Sequence, residues 1–451
     1  MNTKTAYPAY RDSGVPWAPC VPNDWQVLRN GRLFAHRVET GFPDLPILEV
    51  SLKTGVRVRD MQNMKRKQVM SQKEKYKRAV KGDIAYNMMR MWQGAVGAAP
   101  VDGLVSPAYV VVRPFELVNS TYYSYLFRTD VYMREVNKYS RGIVADRNRL
   151  YWDEFKQMPA LVPPLAEQDQ IVAYLRAQDV RIARFIKAKR ELIELLTEQK
   201  LRIVDHAVTR GLDASVKLKP SGIEWLGEVP EHWEVVLLKH IADVRFSGVD
   251  KHSRDDETPV RLCNYTDVYK NDRITSDMDL MCATATKVET ARLTLKGDDV
   301  ILTKDSETPD DIGVPAWVPE DLPDVVCAYH LGLLRPESTR VLGEFLFRAI
   351  SSARIARQFH VLATGVTRFA LGKHDVKNVI VTLPPVEEQK LLCHWITDEC
   401  QPLDDAIVRA EEEIKLIREY RDRLIFDVVT GQIDVRGWQP GPDDVVSDDD
   451  L

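Results

Sequence analysis

Two stretches decide how this chain is read: LVPPLAEQDQIVAYL, Leu161–Leu175, and LPPVEEQKLLCHWI, Leu383–Ile396. Each writes Pro-Pro, then an acid followed by Gln, then a long run with helical periodicity. Proline is tolerated in the first turn of a helix, and Glu167, Glu387 and Glu388 suit its positive end. Glu167–Thr209 and Glu388–Thr430 each run 43 residues without an interior glycine, and Gly211 and Gly431 then supply the usual stop. Pro402 is the one interior proline, so the second helix is expected to kink or restart there. The copies lie 221 residues apart, which implies that the chain is written twice.

Other landmarks repeat as well. SGVPWAPCVPNDWQV from Ser13 answers SGIEWLGEVPEHWEV from Ser221, with Trp17/Trp225, Val21-Pro22/Val229-Pro230, Trp25/Trp233 and Val27/Val235 in step at an offset of 208. VKGD at Val80 answers LKGD at Leu295, and Arg113-Pro114 answers Arg335-Pro336. An offset drifting from 208 to 222 means loops of different length on one scaffold. Within each half, short β-branched and aromatic runs such as SPAYVVVRP and DVILTK alternate with Gly/Pro/Asp turns, which predicts an α/β unit with antiparallel strands.

Both long helices carry a heptad stripe. The first reads Ile182, Ile186, Lys189, Ile193, Leu196, Lys200, Ile203, Ala207; the second reads Leu403, Ile407, Ala410, Ile414, Ile417, Arg421, Leu424, Val428. Matched length and register predict that the helices pack on each other about a pseudo-twofold axis, hence antiparallel. Ile193 and Leu196 should then lie near Ile417 and Ile414, within about one heptad, and the chain beyond Gly431 should return to Tyr10–Trp17. The alternative is two amphipathic helices, each packed on its own domain. Lys200 and Arg421 share one seam slot and either snorkel or face a partner protein.

At 451 residues and 44% apolar content the chain should form two or more cored domains. It contains no run of eighteen apolar residues, and MNTKTAYPAYRDSG lacks a signal-peptide apolar stretch. Six cysteines without a C-x-x-C pair argue against a disulfide framework or zinc site and fit a reducing cytoplasm. The net charge of −5 hides a local +10 over residues 1–164, where a polyanion could be met. No phosphate loop, Asn-Pro-Pro-aromatic or Asp-Pro-Pro-aromatic tetrapeptide or glycine-rich cofactor turn occurs, and Leu383-Pro384-Pro385-Val386 reads as a helix entry. The acidic pairs Asp255-Asp256, Asp298-Asp299 and Asp310-Asp311 could suggest a metal-dependent nuclease. Without an E-x-K-like companion they read as solvated turns. No catalytic residue, metal site or cofactor of its own is expected.

For a polyanion such as a nucleic acid, the basic run is the clearest signal: Lys53, Arg57, Arg59, Lys65, Arg66, Lys67, Lys73, Lys75, Lys77, Arg78 and Lys81. Such a cluster suits phosphate neutralisation, with a merely solvated surface as the alternative. Base edges call for Arg, Lys, Asn or Gln, so Gln62, Asn63 and Gln68 inside the run are candidates, with Asn87, Arg90 and Gln93 around RMWQGA. Trp92 reads as core or loop packing before base stacking. In the second half, Arg245, Lys251, His252, Arg254 and Arg261 cluster early and Lys304 ends a strand. ATGVTRFALGK from Ala363 offers Gly365, Thr367, Arg368 and Lys373, and YSRGIVADRNRLYW in the matching place offers Arg141, Arg147 and Arg149. These matched loops either contact DNA or brace the helix pair.

The motifs SGIEWLGEVPEHWEV, LPPVEEQ with its helix, and MWQGAVGAAPVDGLVSPAYVVVRP from Met91 make nearly the whole chain resemble the specificity subunit of type I restriction–modification systems. SGVPWAPCVPNDWQV departs from the pattern by lacking the Gly-Glu of its partner. The resemblance implies an α+β fold: two globular α/β target-recognition domains separated by two long helices packed as an antiparallel coiled coil. The expected domains are recognition domain one at 1–164, a central helix at 165–211, recognition domain two at 212–385, a C-terminal helix at 386–434 and an acidic tail at 435–451. It further implies that the chain reads a bipartite, asymmetric site on double-stranded DNA and docks two adenine methyltransferase subunits, through which restriction subunits join. S-adenosylmethionine would belong to the methyltransferase partner, and ATP and Mg to the restriction partner. Two rivals stand beside this: a self-sufficient restriction–modification enzyme, and a protein-interaction scaffold with no DNA role.

Overall fold

The structure, a computed structural model, describes residues 6–52, 54–60, 73–142 and 148–441. The chain forms two compact units, Met1–Lys189 with Glu412–Leu451, and Arg190–Glu411. Each long helix is divided between them, so each unit holds half of both helices.

In the first unit a hairpin pairs Tyr10–Asp12 with Cys20–Pro22. Gln26–Arg29 then pairs with Pro159–Val162, the strand that delivers the chain into the helix Leu165–Arg210. The central sheet is antiparallel, in the order Phe34–Arg37, Tyr109–Pro114, Ile84–Asn87, Val96–Ala98. Its core is aromatic: Phe34, Tyr86, Tyr122, Tyr123, Phe127, Tyr132 and Phe155 are all buried. Helix Ser120–Phe127, which supplies three of these aromatics, starts where the Asn119 side chain accepts from the Thr121 and Tyr122 N–H groups.

The second unit repeats this plan. A hairpin pairs Leu218–Pro220 with Glu228–Pro230, Glu234–Leu237 pairs with Ile380–Leu383, and the latter leads into the helix Val386–Val429. Its sheet runs Ala242–Phe246, Leu331–Pro336, Val300–Thr303, Pro315–Trp317, the same order and directions as in the first unit. A second sheet with its own core is added here, and it contains one parallel pair, Thr258–Cys263 with Leu322–Cys327. The expectation of antiparallel strands throughout is corrected at that pair. The long chain between its strands leaves room for the crossover that parallel pairing needs.

The doubled glutamate-glutamine has a structural cause. Glu167 accepts from the indole N–H of Trp25 at 3.0 Å, and Glu388 accepts from that of Trp233 at 3.1 Å. Gln168 is buried; its amide donates to the carbonyls of Leu117 (3.0 Å) and Pro163 (2.9 Å) and accepts from the Asn119 N–H (2.9 Å). Gln389 repeats all three, with Arg340 (2.9 Å), Pro384 (2.8 Å) and the Leu342 N–H (2.8 Å). Each pair thus fastens a helix start to the tryptophan motif and to the loop after the central sheet.

The KGD correspondence shifts by one residue. Asp83 accepts from the Val80 N–H at 2.9 Å, and Asp299 accepts from the Lys296 N–H at 2.8 Å, so Asp83 matches Asp299. The left-handed turn position is Gly82 (φ 90°) in one unit and Asp298 (φ 75°) in the other. Both buried carboxylates are neutralised by an arginine of the sheet, Arg37 at 2.6 Å and Arg335 at 2.7 Å.

The helices run antiparallel. In the first unit Asp179 meets Arg421 at 2.6 Å and Lys189 meets Glu413 at 2.5 Å; in the second Lys200 pairs with Asp404. All three seam cations are therefore held by acids of the opposite helix. Lys200 pairs with Asp404 where the apolar pattern placed Ala410, Lys189 with Glu413 in place of Arg421, and Arg421 with Asp179 in place of Lys189, slides of six to ten residues that reach and pass the expected window of one heptad. A seam repeating every seven residues packs nearly as well after such a slide, so the ion pairs choose among registers. Ile182, Ala207, Ala410, Ile414, Leu424 and Val428 are buried, and Ile186, Ile193, Leu196, Ile203, Leu403, Ile407 and Ile417 are half-buried. Pro402 does not restart the second helix, which is continuous through it; the proline lies on the exposed side, where its ring costs no packing.

Past Gly431 the first unit closes on its own beginning. Gln432 donates to the Cys20 carbonyl at 3.3 Å, Arg436 lies 4.7 Å from the Tyr7 ring centre, and Gln170 donates to the Trp438 carbonyl at 2.6 Å. Gly211 and Gly431 both have φ 73°, yet their surroundings differ: a Cβ would come 3.3 Å from the Trp233 ring at Gly211 and 2.4 Å from the Pro22 ring at Gly431. Gly211→Ala is expected to cost about 1 kcal/mol for left-handed backbone, and Gly431→Ala about 3 kcal/mol once overpacking is added. Denaturant midpoints check this; equal shifts would show that Pro22 yields freely.

Candidate nucleic-acid interface

Gln62, Asn63, Lys65, Arg66, Lys67 and Gln68, with Lys53 and Arg147, lie outside the described residues. The rest of the basic run is partly committed within the fold. Arg57 pairs with Glu49 at 2.5 Å, and Arg78 pairs with Asp102 at 2.8 Å while lying 4.8 Å from the Phe42 ring centre. Lys77 donates to the Tyr109 carbonyl at 2.6 Å, and burial pulls its pKa below that of an ordinary lysine. Arg59 and Lys73 are half-buried, whereas Lys75 and Lys81 are exposed.

Two segments that are far apart in sequence come together in each unit. In the first, the Asn87–Gly94 turn carries Arg90 and Gln93, both exposed, and Asn87 accepts from the Met89 N–H at 3.0 Å. Trp92 donates its indole N–H to the Met89 carbonyl at 3.0 Å and packs against the core, so it holds the turn. Beside this turn, Arg141 and Arg149 pair as a bridge; both are exposed, and Arg141 reaches Glu154 at 2.7 Å. The Leu150 N–H donates to the Met88 carbonyl at 2.8 Å and ties the bridge to the turn.

The second unit makes the same junction through the Leu371 N–H and the Lys304 carbonyl at 2.8 Å. Here Thr364–Gly365 pairs with Phe369–Ala370 around a three-residue tip, and the neighbouring strand is Asp305–Ser306. Gly365 has φ 153°, and a Cβ there would lie 2.0 Å from the Arg368 carbonyl, so this turn requires glycine. Val366 at the tip is 92% exposed. Arg368, 59% exposed, donates to Asp305 Oδ1 at 2.7 Å. His330 Nδ1 lies 2.9 Å from Asp305 Oδ2, and this fits a proton on Nδ1 donated to the carboxylate. Thr367 and Lys373 are exposed.

Several other basic candidates are occupied. Lys304 donates to the Ser247 carbonyl at 3.1 Å under the Tyr329 ring, with its pKa lowered by burial. Arg245 pairs with Asp243 at 2.7 Å, Arg254 with Glu257 at 3.1 Å, and Arg261 with Asp324 at 2.7 Å. Lys251 and His252 are exposed. Sequence reasoning missed Asp305, His330 and the aromatic side chains Tyr265, Tyr269 and Tyr329 around this hairpin. Tyr265 and Tyr269 stack with ring centres 5.6 Å apart, and Tyr269 donates to Asp311 at 3.1 Å. No short motif announces them, because they come from three separate segments. Among the described residues no group of three His, Cys, Asp or Glu side chains is placed to hold a metal, and no helix is long and apolar enough to cross a membrane.

Residues 230–411 match the type I restriction modification DNA specificity domain. The type I restriction enzyme MjaVIII specificity subunit of Methanocaldococcus jannaschii is 25% identical over 285 residues, which cover 62% of this chain and 64% of that protein. The chain is similar to the type I restriction–modification specificity subunits. The aligned stretch spans slightly less than two thirds of that relative's length. A specificity subunit of the same organism assigned to the MjaX enzyme is 22% identical, covering 72% of this chain and 71% of that one. A solved chain from work on complex assembly and conformational transition of the type I R-M system has a TM-score of 0.64 at 15% identity, covering 91% of this chain and 98% of that one, and shows the same fold. Specificity subunits are the non-catalytic members of these systems. In this chain the matched domain contains the Arg368 hairpin, and the internal repeat supplies an equivalent junction at Arg141–Arg149 in the other unit.

Proposed function

We propose that this chain is a specificity subunit that reads a bipartite, asymmetric site on double-stranded DNA, one half per unit, and holds two methyltransferase subunits through its helices. Restriction subunits join through the methyltransferases. S-adenosylmethionine is bound by the methyltransferase partner, and ATP with Mg by the restriction partner. The recognition domains are taken as residues 1–164 and 212–385, joined by the helices 165–211 and 386–434. The observation that carries the two-reader assignment is the repeated junction of turn and hairpin. The same scaffold presents it twice, but with different side chains, Arg90, Gln93, Arg141 and Arg149 in one unit and Arg368 in the other. One scaffold with two different faces is what an asymmetric site requires.

Docking has its own support. Leu195 and Leu416 occupy the same slot of the two repeated helices, and they are 64% and 62% exposed. Leucines left in water at equivalent positions suit two copies of one apolar partner surface.

Methylome sequencing of cells with and without this chain tests the reading. A methylated bipartite motif is expected only with the chain present. Methylation by the purified chain alone would favour the self-sufficient enzyme, and an unchanged methylome would favour the scaffold without a DNA role.

A further inference from the structure

The hairpin of the second unit is built to aim one guanidinium. Its tip is only three residues long, Val366–Arg368, and Gly365 admits no side chain because the Arg368 carbonyl fills that space. Asp305 is 11% exposed and offers both oxygens to fixed donors, Oδ1 to Arg368 NH2 and Oδ2 to His330 Nδ1. Asp305 is itself anchored, since its strand pairs with Phe369–Ala370 of the same hairpin. Arg368 is therefore held from behind by a carboxylate on one terminal nitrogen. Its Nε and NH1 groups make no hydrogen bond to the described residues, and the side chain stays largely in water.

That geometry differs from an arginine that only braces the fold. Arg335 is the internal control: it gives Nε and NH2 to Asp299 and NH2 also to the Thr294 carbonyl, and is 19% exposed. It differs also from a phosphate-seeking cation, because a mobile lysine on an unpinned loop would serve phosphate as well. Asp305 takes one N–H of NH2, and the edge that NH1 forms with the other N–H of NH2 is a planar fork, fixed in direction, that matches the O6 and N7 acceptors guanine shows in the major groove. The carboxylate behind it fixes the rotamer in advance, so less side-chain entropy is lost on contact.

We infer that Arg368, positioned by Asp305 and His330, reads one guanine in the half-site served by the second unit. This rests on the DNA-reading function proposed above and adds the base and the residues. Asp305 and His330 act through Arg368 and are positioning residues.

The test uses the full chain assembled with its methyltransferase partner, binding a DNA library randomised at each position of the methylated motif. Wild type should prefer a G·C pair at one position of one half-site. Arg368→Lys keeps the charge but loses the planar fork, and should remove that preference by roughly 5- to 150-fold while other positions keep theirs. Asp305→Asn, close in shape, should weaken the same position and no other. Three results overturn the inference: Arg368→Lys retaining every preference, Arg368→Ala weakening all sequences equally, or the lost preference falling on an A·T pair. A wild-type assembly that binds all sequences alike would overturn the DNA-reading function itself, and so is distinguished from failure at this one residue.

Discussion

Gln389→Ala is expected to destabilise the second unit by about 4 kcal/mol, and Gln168→Ala to do the same to the first. Each amide is buried and satisfies three backbone groups, the carbonyls of Arg340 and Pro384 with the Leu342 N–H in one case, and those of Leu117 and Pro163 with the Asn119 N–H in the other. Truncation leaves those groups unpaired away from water, at about 1–3 kcal/mol each, and entering water recovers part of the loss. Because each residue serves one unit, each substitution should move one transition in a two-step denaturation and leave the other. A shift below about 1 kcal/mol would mean that the glutamine is not what fastens the helix start.

The second large effect is on assembly. Leu195→Asp and Leu416→Asp should each leave folding within about 0.5 kcal/mol of wild type, because both side chains are mostly in water. Each should cost one methyltransferase copy. A carboxylate forced into an apolar contact without a partner costs on the order of 3 kcal/mol, which weakens that contact roughly 150-fold. Native mass measurement should show one partner bound for either single variant and none for the double. Two partners retained by the double variant would place the docking surface elsewhere.

These two predictions draw on different kinds of information. Leu195 and Leu416 could be matched from the chain alone, since the repeat places them 221 residues apart. That they face water could not, because heptad spacing assigns a stripe and not the depth of its margins. The role of Gln168 and Gln389 was half visible: the motif was plainly doubled, but partners such as Asn119 and Leu342 lie about 50 residues away in the loop after the central sheet.

Local chemistry was enough to write the duplication, the helix boundaries at Leu165–Arg210 and Val386–Val429, and the antiparallel sense of the pair. All follow from periodicity, prolines, glycines and symmetry, which act over a few residues or repeat along the chain. Tertiary structure alone decided the rest. It chose a register six to ten residues away from the apolar pattern, because ion pairs such as Asp179–Arg421 break a tie that leucine spacing leaves open. It carried the helix through Pro402, because one lost hydrogen bond on an exposed side is small against a packed seam. It also tied up much of the described basic run in internal pairs, while Asp305, His330 and Arg368 were gathered from three separate segments behind one exposed hairpin. A charge shows in a sequence wherever it occurs, but whether it is free for a ligand depends on which distant carboxylate the fold sets beside it.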